Sequence, residues 1–90
     1  MTVNELGHEL SMMYDDAPEG EKATMVHLFG IRYSKIIREN RITVPEILRN
    51  TMLRNGSRID DGYSPEINKG INLAKYVIEK KTLLKYINNN

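Results

Sequence analysis

Catalysis and metal binding need particular side chains, and this chain holds few of them. There are two histidines, His8 and His27, and no cysteine. Neither histidine has a ligand partner four residues on, the spacing that sets two ligands on one helical face. His8, Glu9 and His27 could meet across a pair of helices, but solvated or hydrogen-bonded histidines are much the plainer account. Asp15-Asp16 and Asp60-Asp61 are adjacent carboxylates. Neighbours on a turn point apart, and no calcium-loop spacing follows either pair. Ser11, Ser34, Ser57 and Ser64 lack a nearby base, and no Gly-rich phosphate loop occurs. The absence of cysteine excludes disulfides, thiolate metal sites and cysteine nucleophiles. The sequence thus offers no catalytic group, no metal site and no cofactor motif.

Residues suited to a polyanion are more evident. A helix that reads DNA needs short hydrogen-bonding side chains and cations opposite its core stripe. Its N-terminal amides should also be free to approach phosphate. The segment opened by Ser64-Pro65-Glu66 supplies Asn68, Lys69, Asn72 and Lys75 on the arc opposite its isoleucines. Ser64 suits its cap. Arg49, Arg54 and Arg58 precede it and could clamp phosphates. A solvated face of Asn and Lys is the plain alternative, and Glu66 opposes phosphate approach. Charge along the chain points the same way. Residues 1–30 carry six acids against Lys22 alone, while residues 31–90 carry twelve Lys and Arg against six acids. An acidic head on a basic body is the asymmetry of a chain with one polyanion-facing side.

These residues must be positioned by helices. Val3, Leu6, Leu10 and Met13 recur at helical spacing, predicting a first helix over about 2–15, capped by Thr2 with Glu5 three residues on. Pro18 suits the first turn of a long second helix reaching Glu39. There Met25, Val26, Phe29, Tyr33, Ile36 and Ile37 share an arc, with Leu28 and Ile31 off it. A helix apolar on two sides is central. Gly30 lies on the main arc and permits a close helix crossing. Thr43-Val44-Pro45-Glu46 opens a short third helix ending near Leu53, with Ile47, Leu48 and Met52 inward. It is of a size to support the helix after it. Residues 54–63, with turn signals at Asn55-Gly56 and Asp61-Gly62, form either a mobile loop or a short wing. The expected fourth helix runs from Ser64 to about Lys81. Its inner stripe is Ile67, Ile71, Ala74 and Ile78, with Gly70 beside it. Tyr63 packs inward at its entry. Leu83, Leu84 and Ile87 read as a docked tail on which Tyr76 rests.

Met13-Tyr14-Asp15-Asp16-Ala17-Pro18-Glu19-Gly20-Glu21-Lys22, His27-Leu28-Phe29-Gly30-Ile31-Arg32-Tyr33, Tyr63-Ser64-Pro65-Glu66-Ile67-Asn68-Lys69-Gly70 and Leu73-Ala74-Lys75-Tyr76-Val77 carry a family likeness. Together they resemble a small bacterial family of helix-turn-helix-like domains, similar to the DNA-binding head pieces of some restriction-system proteins. The resemblance covers most of the chain and implies a helical DNA-binding-like fold. The long 54–63 connection departs from a tight helix-turn-helix.

Ninety residues make one domain with a thin core. The N-terminus has no apolar run, and no stretch approaches the roughly 20 apolar residues of a membrane span. A cytoplasmic location follows by default. The expectation is therefore an all-α, compact four-helix helix-turn-helix-like domain over 1–90, with a long central second helix. Its expected function is a non-catalytic DNA-binding accessory or regulatory domain, acting alone, as a homodimer or with a larger effector protein. The alternative is a protein-interaction or self-association module without nucleic acid, in which one copy's acidic head meets another's basic body.

Overall fold

The computed structural model describes residues 1–88. It is all-α: α1 (Val3–Asp15), α2 (Lys22–Glu39), α3 (Val44–Arg49), a single 3-10 turn (Asp61–Tyr63), α4 (Ser64–Leu73) and α5 (Lys80–Asn88), with no strand among the described residues. Two of the starts are reciprocal capping boxes. Thr2 accepts from Glu5 N–H while Glu5 accepts from Thr2 N–H, and Thr43 and Glu46 repeat the pattern. Each satisfies two otherwise orphaned helix amides. The Thr2 and Thr43 amides, by donating to their carboxylates, hold Glu5 and Glu46 below the usual glutamate pKa. The second helix starts later than expected, at Lys22 and not Pro18. Pro18 to Glu21 instead closes a turn through Glu21 N–H to Pro18 O, and Gly20 takes the left-handed conformation (φ 82°) that the turn requires. Glu19 and Glu21 therefore precede α2 and do not lie in its first turn.

The core forms where α1 and α4 meet α2 and α3 closes on α1 and α4. Leu6, Leu10, Val26, Phe29, Ile47, Leu48, Ile59 and Ile67 are fully buried, with Ile37 and Ile71 nearly so. The central place of α2 follows from its two apolar sides: it packs chiefly on α4 and also on α1. At the α2–α4 crossing two glycines meet. A Cβ on Gly30 would stand 2.5 Å from Ile67 O and 2.9 Å from Gly70 Cα. The backbones touch there, so neither helix tolerates a side chain. Tyr33 is half-buried rather than buried, its ring 5.1 Å from Phe29. Tyr63 packs inward, edge-on against Tyr14 at 5.4 Å.

The third helix is shorter than expected and stops at Arg49. Residues 51–53 are irregular, and Met52 points to solvent at 74% exposure, not inward. Side-chain hydroxyls replace helix bonds here. Ser11 Oγ accepts from Met52 N–H at 2.9 Å, and Thr51 Oγ1 accepts from Ile59 N–H at 3.0 Å. Leu53 N–H donates to Ser57 O, and Arg54 N–H donates to Asp15 Oδ2. The 54–63 segment is thus a loop pinned at both ends, with Ile59 wholly buried, and not a wing of paired strands. Local opening follows the number of such anchors. In hydrogen exchange, Ile59 should be protected like a core amide, while Arg58 exchanges quickly. Fast exchange at Ile59 would mean the anchor does not hold.

At the C-terminal end the expected fourth helix divides. α4 ends at Leu73, and Tyr76 and Val77 N–H both fold back to Leu73 O. An aromatic followed by two β-branched residues, Tyr76-Val77-Ile78, loses side-chain freedom in a helix and favours the break. Glu79 is then held by Arg32, which donates through Nε (2.9 Å) and Nη2 (2.5 Å). These bonds hold the Glu79 carboxyl below its ordinary pKa and raise that of Arg32. The inner stripe therefore stops early: Ile71 is buried, Ala74 is half-buried and Ile78 is 64% exposed. The apolar residues of α5 do not dock. Leu83, Leu84 and Ile87 are exposed, and so is Tyr76, which does not rest on them.

Candidate nucleic-acid interface

The outward face of α4 is set by its inward one. Ile67, Gly70 and Ile71 are buried on α2, and this leaves Asn68, Lys69 and Asn72 exposed on the far side. The last turn of α4 is also fixed from α2, where Ser34 Oγ and Arg38 Nη2 each donate to Ile71 O at 3.3 Å. A cation at a helix C-terminus offsets the negative end of its dipole. Near the other end, Glu66 lies against His27 Nε2 and 3.9 Å from Lys69 Nζ. The Lys69 ammonium beside Glu66 offsets part of its opposition to a phosphate.

The expected site residues fall into three places. Asn68, Lys69 and Asn72 share the exposed face of α4. Ser64, Arg49 and Arg58 border one shallow hollow of about 330 Å³ beside the start of that helix, with Pro45 and Asp61. Ser64 is the first residue of α4 and not its cap. The preceding 3-10 turn takes the capping position, and Asp60 there accepts from Gly62 N–H. Arg58 reaches Asp61 at 3.4 Å. Arg54 belongs to neither group. It pairs with Asp16 and lines a separate hollow with His8, Ser11 and Met12. Lys75 lies past the end of α4, in the turn, where it borders a groove of about 540 Å³ with Lys35 and Arg38 of α2. Lys35 and Arg38 join the candidate set only through this fold. In the sequence nothing links them to Lys75, 40 and 37 residues away.

The support for α4 also differs from expectation. α4 packs chiefly on α2, and α3 contributes less. Fourteen or so residues separate α3 from α4, against the 3–4 of a tight helix-turn-helix. The long connection lets α4 lie on α2 while α3 packs on α1. Among the described residues no group of three or more His, Asp or Glu is placed to hold a metal ion, and no helix is long and apolar enough to cross a membrane.

A small all-α domain that carries one short helix on a longer one, polar face outward, is of the helix-turn-helix-like class. Residues 2–80 match the family model described as HTH-like domain, and the chain belongs to that family. No curated protein and no solved structure matches it.

Proposed function

We propose that the chain is a non-catalytic DNA-binding accessory or regulatory domain of the cytoplasm, which meets the duplex with the outward face of α4. The observation that carries this is the exposed Asn68-Lys69-Asn72 strip, held rigidly by the Gly30–Gly70 crossing behind it. Asn can pair with an adenine edge in two-point fashion, and Lys with guanine or phosphate. Arg49 and Arg58 on one flank, and Lys35, Arg38 and Lys75 on the other, supply backbone contacts. Arg54 stands apart from this set, since it pairs with Asp16 on another part of the surface. Membership of the HTH-like family supports the reading. With a net charge of +1, a lone copy binds modestly, and a larger effector protein or a second copy raises the affinity.

The test is fluorescence anisotropy with a labelled random duplex at low salt, comparing wild type with Lys69→Glu/Lys75→Glu. Each lost phosphate contact should weaken all sequences alike and lower the salt slope by about one. Asn68→Ala or Asn72→Ala should cost about 1–3 kcal/mol on a preferred site and little elsewhere. The proposal fails if wild type does not bind, or if the double variant binds equally well.

A further inference from the structure

The family match ends at residue 80, where α5 begins. Leu83, Leu84 and Ile87 share one side of this helix, the i, i+1, i+4 spacing of a single face, and are 41–56% exposed. Among the described residues no other element packs substantially on α5. Nine residues cannot hold a helix alone in water, so this face calls for a partner. The rest of α5 carries Lys80, Lys81 and Lys85 and no acid. Its partner should therefore be apolar at the centre and acidic at the edge.

The chain itself has such a surface. Met12, Met13 and Met25 of α1 and α2 line a hollow of about 320 Å³ together with Pro18, Glu9, Asp16 and Arg32, whose charge Glu79 already engages. Methionine adapts its shape to an incoming apolar face, which suits a docking floor. The two carboxylates are fixed, as Glu9 accepts from Tyr33 Oη and Asp16 from Arg54. The surrounding first 30 residues hold six acids against one lysine. Within one chain, the apolar face of α5 stays exposed and does not fill this hollow. Arg32 grips Glu79 just before the helix, and Lys81, Thr82 and Lys85 lie beside Arg32. We propose that α5 of one copy docks in the methionine hollow of a second copy, and that the exchange is reciprocal and closes a two-fold dimer. The dimer does not depend on DNA binding.

Sedimentation velocity of the full chain tests this. Wild type should dimerise, less so at high salt. Leu84→Asp should be monomeric and lose at most the helix signal of α5, with the melting of the core unchanged, because the core does not rest on α5. Lys81→Glu/Lys85→Glu should weaken the dimer roughly tenfold or more, and so should Glu9→Lys/Asp16→Lys. An equimolar mixture of these two charge variants should dimerise again, since each α5 then meets a hollow of opposite sign. Helix content and melting temperature of each variant show that it is folded. Three results would overturn the proposal: a wild type that stays monomeric at the highest attainable concentration, a Glu9→Lys/Asp16→Lys protein that dimerises as wild type does (α5 then pairs elsewhere), or a mixture of folded variants that stays monomeric.

Discussion

Phe29→Ala should leave the domain at or near the edge of unfolding at room temperature. Phe29 is wholly buried in the largest cluster, on the central helix, with its ring against Tyr33. Truncating a buried Phe costs about 3–5 kcal/mol, as lost transfer energy and an unfilled cavity. A 90-residue domain has roughly 5–13 kcal/mol of stability in total. The urea midpoint should fall by a third or more with the slope unchanged. A midpoint equal to wild type would mean that Phe29 is not in the core, and that the face assigned to α2 is wrong.

The second large effect is expected at a residue with no side chain. Gly70→Ala puts a Cβ into His27 O and at 3.0 Å from Gly30 Cα. Backbone, unlike the far end of a flexible side chain, cannot move aside cheaply. In an exposed helix the same change would gain about 1 kcal/mol from helix propensity. Here the clash wins, and a net loss of about 1–2 kcal/mol is expected. A thermal melt should show a fall of roughly 5 °C or more. A rise in melting temperature would show that α2 and α4 do not cross at this pair. The sign of the change therefore decides the point without any need for its size.

Most of the helical core could be read from the sequence, because periodicity reports burial directly. Val26, Phe29, Ile67 and Ile71 are where their spacing puts them, and the glycines at 30 and 70 are at the crossing. Caps at Thr2 and Thr43 were legible for the same local reason. Three features escaped, one set by a local turn and two that draw on contacts far along the chain. The late start of α2 depends on Gly20 closing a turn that Pro18 alone does not signal. The end of α4 depends on Glu79 being caught by Arg32, 47 residues earlier in the chain. The anchoring of the 51–59 segment depends on the hydroxyls of Ser11 and Thr51, which no pattern of apolar residues records. For the candidate interface, the exposed strip on α4 followed from its inner stripe. The grouping of cations did not, because Arg54 is claimed by Asp16 across 38 residues while Lys35 and Arg38 are brought to Lys75 only by the packing of α2 on α4.

The crossing of α2 and α4 also orders the events of folding. Its contacts join distant parts of the chain, as in the bond from Ser34 to Ile71, 37 residues on. Closing a loop of that length costs about 3 kcal/mol of chain entropy before any contact is made. α1 and α2 are joined by a short turn and can associate early. α4 has ten residues and a glycine in its middle, too little to persist as a helix by itself. Its Ile71 carbonyl finds its side-chain donors on α2, in Ser34 and Arg38. Helix formation in residues 64–73 is therefore coupled to docking, on the late side of the folding barrier. Substitutions in α4 should accordingly act more on the rate of unfolding than on the rate of folding.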